Sequence, residues 1–294
     1  MGKATSMKIL VTGATGFTGC RVVPRLLQQG AEVRCLVRPS SETALLPQEA
    51  DLVRGDLNDT ASVEKAMSGV DALANIASLG FGHAPAVVRA AEKAGVRRAV
   101  FISTTAIFTN LNARSKAVRL SAEEVIRKST LRYTILRPTM IYGSSRDRNI
   151  CRLIRYIRRW PVIPVAGNGR SLQQPVYVDD VARAVAQCLS RDNTIGEAYD
   201  LSGATALSFD EMVDMISGLL GRRVRKVHLP VAPVAALLHA CERLSIRLPI
   251  RAEQILRLNE DKTFDHSRAT ADFGFDPVPF AEGIRMELHG LGLP

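Results

Sequence analysis

The stretch Met7-Lys8-Ile9-Leu10-Val11-Thr12-Gly13-Ala14-Thr15-Gly16-Phe17-Thr18-Gly19, running on through Arg21-Val22-Val23-Pro24-Arg25-Leu26-Leu27, decides how this chain is read. An apolar run with β-branched residues passes directly into three glycines spaced G-x-x-G-x-x-G, and then into apolar residues at helical period. Strand, tight turn and helix in that order make a phosphate-binding turn. One glycine permits the sharp turn, one removes the Cβ that would block a pyrophosphate, and one lets the helix lie close to the strand. The free N–H groups and positive dipole end of the helix then face the diphosphate. Gly13, Thr15, Gly16, Phe17, Thr18 and Gly19 are the residues expected to hold it. A glycine triplet alone also suits a purely structural turn; the flanking strand and helix favour a dinucleotide.

Outward from that turn, strand and helix signals alternate with short connections, which predicts parallel βαβ units in a doubly wound, Rossmann-type α/β sheet. The second strand, Val33–Val37, ends in Arg38-Pro39-Ser40-Ser41. Arg38 stands 19 residues past Gly19, with no Asp or Glu beside it. At about that distance a carboxylate bonds the ribose 2′-hydroxyl, whereas an arginine accommodates a 2′-phosphate. NADP(H) is therefore favoured over NAD(H), a solvated surface arginine being the alternative. A third strand, Asp51–Arg54, leads into Gly55-Asp56-Leu57, where Asp56 can bond the adenine amino group or serve as a turn residue. Further strands cover 71–77, 99–103 and 133–137, the last closed by Pro138, with helices from Thr60, over His83 to Gly95 and over Ala113 to Lys128. Leu57 and the strand ends Ala77 and Pro138 complete the expected cofactor contacts.

Beyond Pro138 the alternation breaks, as it does where a substrate lobe is inserted. The expected division is an NADP(H)-binding domain over 1–145, its sheet completed near 174–202, and a smaller mixed α/β substrate lobe from 146–172 and 203–294. Within it Asn149 to Trp160 is a helix with Ile150, Leu153, Ile154 and Ile157 on one face and arginines mostly on the other. Pro161 to Gly169 is expected as a loop, and Val181 to Leu189 as a helix capped by Asp179-Asp180. Helix (209–220), strand (222–229), helix (231–243) and helix (251–259) follow. The lobe should roof the crevice at the carboxyl ends of the strands, where open α/β sheets bind ligands.

Composition removes other classes. With 294 residues, 46% of them hydrophobic, the chain can bury a real core, while its longest apolar stretch, Pro230 to Leu238, is far short of the ~20 residues a span needs. The start, Met1 to Ser6, lacks the apolar region of a secretory signal. Cys20, Cys35, Cys151, Cys188 and Cys241 are scattered and never C-x-x-C, which fits free thiols and a cytoplasmic location. Five dispersed histidines give no metal site. The net charge of +10 is partly local, with Arg146, Arg148, Arg152, Arg155, Arg158 and Arg159 in one short region. That region is either a solvated face or one that attracts an acidic substrate or an acidic lipid surface. An aromatic content of 5% and the lack of a nucleic-acid motif argue against DNA or RNA. The oligomeric state is not set by any of this.

Taken together, T-G-A-T-G-F-T-G (12–19), G-D-L (55–57), I-S-T-T (102–105), Y-T-I-L-R-P-T-M-I-Y-G (133–143), P-V-Y-V-D-D-V-A-R-A (175–184) and the tail around Phe264–Ala269 and Phe273–Pro277 resemble the extended short-chain dehydrogenase/reductase superfamily, and within it the NAD(P)-dependent epimerase/dehydratase branch. The resemblance spans nearly the whole chain. It implies a Ser/Thr at the end of the fifth strand that bonds the substrate oxygen, and a Tyr-x-x-x-Lys whose tyrosine exchanges the proton while its lysine holds the nicotinamide ribose. Thr104 and Lys116 match two of these positions; Asn112 stands at the tyrosine's. An amide has no proton to exchange near neutral pH. Tyr142, His83 and Tyr177 are the candidates to replace the tyrosine, each with an ordinary packing or helix-start role as the alternative. Three functions follow: an NADP(H)-dependent oxidoreductase or epimerase-like enzyme on a small molecule, a protein that binds NADP(H) without turnover, as atypical members such as the NADPH-binding accessory subunit of respiratory complex I do, and a peripheral membrane protein using the basic helix.

Overall fold

The apolar runs become strands whose order reverses at the first of them. In chain order the elements are β1 (Lys8–Thr12), α1 (Gly19–Gln28), β2 (Glu32–Val37), β3 (Asp51–Arg54), α2 (Thr60–Met67), β4 (Ala72–Asn75), α3 (Ala84–Lys93), β5 (Arg98–Ile102), α4 (Arg114–Lys128) and β6 (Tyr133–Pro138). Then come β7 (Ile141–Tyr142), α5 (Ile150–Arg159), β8 (Val162–Ala166), β9 (Leu172–Gln173), β10 (Val176–Tyr177), α6 (Val178–Leu189) and β11 (Glu197–Leu201). The chain closes with β12 (Leu207–Ser208), α7 (Phe209–Leu219), β13 (Arg225–Leu229), α8 (Val231–Arg243), α9 (Ala252–Leu258), α10 (Ser267–Phe273) and α11 (Phe280–Gly290). This computed structural model describes residues 6–111, 114–244, 246 and 252–293.

Seven strands form one parallel sheet in the order β11-β6-β5-β4-β1-β2-β3. Connections run one way from β1 to β3 and the other way from β4 onward, so the crevice for a ligand opens between the carboxyl ends of β1 and β4. Both faces are covered, and β4 and β5 are buried along their whole length, as parallel sheets require. One apolar cluster packs α1 and α6 onto the sheet through Val22, Leu26, Val181 and Val185. The other packs α2, α3 and α4 through Val63, Met67, Val88 and Ile126. Each such side chain contributes about 1.5–3 kcal/mol by leaving water.

A cation is sealed into this sheet. Arg98, the first residue of β5, is 6% exposed, and its guanidinium donates to the carbonyls of Ala99 (2.9 Å), Arg132 (2.6 Å) and Cys188 (2.7 Å), to Thr194 Oγ1 (2.8 Å) and to Thr134 Oγ1. It ties the amino ends of β5 and β6 to the end of α6. Burial pulls its pKa down to about 10, which still leaves it charged at neutral pH.

α5, β8, α7 and α11 build a smaller assembly around a third core that includes Tyr142, Ile154, Ile157, Ile163, Met212, Ile216 and Ile284, whereas α10 packs Ala269 and Phe273 into the first cluster, on the sheet. Here two expectations are corrected. Residues 161–169 are not all loop: Val162–Ala166 is β8, paired in parallel with β13. Its residues alternate, with Ile163 and Val165 buried and Val162 and Pro164 exposed, and the proline is tolerated because the sheet has just these two strands, both edges. Nor do Asp179 and Asp180 cap α6. The helix already starts at Val178, and Asp180 turns inward to accept the N–H of Val278 (2.9 Å) and the guanidinium of Arg183 (2.7 Å). The capping box that does form is Ser208 with Glu211 at the start of α7. No helix among the described residues is long and apolar enough to cross a membrane.

Candidate functional site

The three glycines divide their work as the spacing predicts. Gly13 takes a left-handed φ of +68°, and a Cβ there would come within 2.7 Å of the Ala77 amide nitrogen. A Cβ on Gly19 would lie 2.2 Å from the Gly13 carbonyl and 2.7 Å from Ala14 Cα, so α1 can sit this close to β1 with glycine alone. A Cβ on Gly16 meets only the Gly13 carbonyl, at 3.0 Å, and otherwise points into open space. That open space is the cradle a pyrophosphate needs. Among the described residues the N–H groups of Phe17 and Thr18 have no acceptor, and Thr18 makes no side-chain cap for α1. Free donors at a helix N-terminus are an anion site. Across the crevice Thr12 donates to Asn75 (2.7 Å), and Asn75 donates to the Ala77 carbonyl (3.2 Å), which fixes the wall opposite the turn.

At the end of β2, Arg38 is exposed in the turn 38–41. Arg54, which ends β3 and lies beside Val37, donates to the carbonyls of Arg38 (3.1 Å), Ser41 (3.3 Å) and Pro39 (3.4 Å). Two guanidiniums thus stand at one strand end. Reading β2 alone missed the second; aligning the ends of β2 and β3 would have found it. Asp56 accepts the N–H (2.8 Å) and the side-chain amide (2.9 Å) of Asn58, a turn role that occupies one of its oxygens, Oδ1. Leu57 is half-buried against the α2–α4 side of the sheet, and Pro138 ends β6, its carbonyl taking the Thr105 hydroxyl (3.4 Å).

Thr104 follows β5 in extended backbone, with φ −166°, and its hydroxyl accepts the Ala106 N–H (3.2 Å). The O–H proton remains able to donate. Lys116, in the first turn of α4, donates to the Thr109 carbonyl (2.6 Å), using one of three N–H groups. Thr109 in turn donates to Glu260 (2.6 Å), which also takes the Asn110 N–H (3.0 Å). This tether from the far end of the chain carried no local signal. Asn112, at the tyrosine's position, lies outside the described residues.

None of the three groups weighed as a replacement for that tyrosine lines the cleft described next. Tyr142 is fully buried, its hydroxyl facing the Phe280 carbonyl at 3.4 Å and its ring against Tyr177 and Phe280. Burial, and then the nearby Asp180 and Glu287 carboxylates, drive its pKa far above the usual phenol range. Tyr177 is buried beside it and is raised in the same direction, chiefly by burial. His83 precedes α3 without a capping bond, 6.1 Å from the Phe81 ring.

The cleft itself, about 1220 Å³, opens between the carboxyl ends of β5 and β6 and the smaller assembly. Thr104, Phe108, Met140, Leu153, Tyr156 and Phe209 line it, and Arg119, Arg148, Arg152 and Arg257 add positive charge. Such a volume suits a drug-sized or larger ligand that is mostly apolar. Tyr156, the cleft's phenol, was read at the sequence level only as part of the amphipathic helix. Among the described residues no three His, Cys, Asp or Glu side chains cluster as metal ligands do.

A family model described as NAD(P)H-binding matches residues 13–192, from the first glycine of the turn to just past α6. The chain belongs to this NAD(P)H-binding family. It is 25% identical over 284 residues to the mitochondrial NADH dehydrogenase [ubiquinone] 1 alpha subcomplex subunit 9 of Arabidopsis thaliana, covering 88% of this chain and 70% of that one. It is 23% identical to the photosystem II assembly factor Ycf39 of Guillardia theta, over 92% of this chain and 90% of that one. Among solved structures, a UDP-glucose 4-epimerase from Thermotoga maritima, determined with UDP-glucose, superposes with a TM-score of 0.78 over 97% of this chain and 99% of its own, at 18% identity. The fold is therefore the one this epimerase structure has, and the stretch matched by the NAD(P)H-binding family opens at the first glycine of the turn.

Proposed function

We propose that the protein is an NADP(H)-dependent oxidoreductase or epimerase-like enzyme acting on a small molecule held in the cleft. The observation that supports this best is the position of Thr104, which lies two residues past β5 and also lines the cleft. In this reading the glycine turn holds the pyrophosphate, Arg38 pairs with the 2′-phosphate, Asp56 and Leu57 border the adenine, Ala77 and Pro138 border the nicotinamide half, and Lys116 reaches its ribose. Thr104 donates to the substrate oxygen. The bound nicotinamide supplies or accepts the hydride. Residues 1–145 with 174–202 act as the cofactor domain, and 146–172 with 203–294 as the substrate lobe. Cofactor oxidation against a panel of carbonyl compounds tests the proposal; no turnover with any, under conditions where NADPH binds, would overturn it.

Asn112 favours a second reading, binding of NADP(H) without turnover, since it removes the proton-exchanging phenol and the groups weighed to replace it lie off the cleft. The names of the Arabidopsis and Guillardia relatives, a respiratory-complex subunit and an assembly factor, point the same way.

Two expected results bear on the cofactor. NADPH should bind more tightly than NADH, and Arg38→Ala should cost NADPH roughly 10- to 100-fold, the worth of a charge-assisted pair, while leaving NADH nearly unchanged. Calorimetric titration of both nucleotides decides it; equal affinities in the parent protein would remove the idea. Lys116→Ala should weaken the cofactor several-fold and change turnover little at saturating NADPH. If instead affinity holds and kcat falls by orders of magnitude, Lys116 has an acid–base role.

A further inference from the structure

The β8–β13 sheet has one face whose aliphatic side chains remain exposed among the described residues. Parallel register puts Val162 beside Arg225, Pro164 beside Val227 and Ala166 beside Leu229. Val162 (42% exposed), Val227 (37%) and Leu229 (39%) form an aliphatic strip in water, and Trp160, immediately before β8, is 49% exposed. The opposite face is spent: Ile163 and Val165 pack inward, Lys226 pairs with Asp214 (2.6 Å), and His228 meets Asp210 (2.9 Å). Past Pro230, α8 buries only Ala235 and leaves Leu237 in solvent.

Arginines surround this strip. Arg155, Arg158 and Arg159 lie on the outward side of α5, and Arg159 stacks on Trp160 at 5.6 Å. Arg222, Arg223 and Arg225 reach the same corner, because the Arg225 N–H donates to the Pro161 carbonyl (2.8 Å). All six are exposed, and none forms an ion pair among the described residues. The acidic groups close by, Asp210 and Asp214, are engaged on the other face.

We propose that this face docks the protein on an anionic membrane surface. Tryptophan and tyrosine prefer the headgroup level, aliphatic side chains enter just below it, and arginines keep their charge among phosphates while laying their stems on apolar surface. A second copy of the chain fits worse. A two-fold contact through this strip would bring each cluster of six unpaired arginines toward its own equivalent. The proposal concerns a surface apart from the cofactor crevice and stands whether or not the protein turns over.

Trp160 is the single tryptophan of the chain, so its emission reports on this face alone. The full-length protein should sediment with vesicles of phosphatidylglycerol in phosphatidylcholine at low salt, with a blue shift of Trp160 and quenching by brominated lipid. It should not sediment with phosphatidylcholine alone, and added salt should release it. Replacing Arg155, Arg158 and Arg159 with glutamine should weaken partition about a hundredfold, from the usual contribution of three basic residues near such a surface. Val227→Ser with Leu229→Ser should reduce the blue shift while NADPH binding, the control for folding, is kept. Absence from the anionic pellet at low salt, or sedimentation with unshifted Trp160 emission, would overturn the proposal. A concentration-dependent dimer dissolved by the Val227→Ser, Leu229→Ser pair would overturn it too and give the face to a second copy.

Discussion

Gly16→Val should fold as the parent does and bind neither NADPH nor NADH. The two halves of that expectation come from the same atom. The first carbon of the new side chain meets only the Gly13 carbonyl, at 3.0 Å, which the turn can relieve by a few tenths of an ångström. The branch beyond it fills the space in front of the N–H groups of Phe17 and Thr18. A diphosphate kept away from two such donors loses charge-assisted bonds worth about 1.5–3 kcal/mol each, so affinity should fall at least ~100-fold for both nucleotides. Titration calorimetry reads the loss and circular dichroism the retained fold. Undiminished binding would move the pyrophosphate elsewhere. Gly19→Val should behave differently, because its Cβ would strike backbone at 2.2 Å and the turn itself could not close.

Arg98→Met should do the reverse: lose stability and keep the cofactor. The methionine fills most of the volume but removes the charged donor from the Cys188 carbonyl and the Thr134 and Thr194 hydroxyls, which keep at best the longer bonds among themselves, while the Arg132 carbonyl keeps the Ala99 N–H (3.1 Å). Losing charge-assisted bonds to two or three buried acceptors costs on the order of 3 kcal/mol. Urea unfolding should show the loss as a lower midpoint with an unchanged slope. The NADPH dissociation constant should stay within about twofold, since the residue sits at the amino ends of the strands and the crevice at their carboxyl ends. A midpoint like the parent's would mean that water enters and replaces the guanidinium.

What was legible in the sequence is what neighbouring residues decide among themselves. The glycine turn, β3 with its bounds, the amphipathic α5 and the end of β2 at Arg38 all announce themselves within a few residues. Tyr142 could not be placed in that way. Its hydroxyl fits only because Gly283, far along the chain, presents no Cβ, which would lie 2.0 Å from it. The closing helix α11 that brings Gly283 there gave no signal near Tyr142. Glu260 is missed for the same reason, since its partners Thr109 and Asn110 are 150 residues or so away. β8 is a different failure: Val162-Ile163-Pro164-Val165 is apolar at every position, so the alternation of buried and exposed faces leaves no trace in the sequence, and two prolines read as a loop. An edge strand can carry a proline, and its outward face here is aliphatic rather than polar.

That strand also bears on how the chain survives its own synthesis. β8 waits for a partner, β13, that lies 63 residues later, and until it arrives the backbone of β8 has no strand to pair with. An unpaired, apolar strand is what recruits strands from other molecules. Pro161 and Pro164 have no N–H to offer, so the waiting strand is a poor template for a stranger, yet Pro164 does not prevent the native pairing once β13 is made. The residues that hid the strand from view are the ones that keep it from aggregating while it waits.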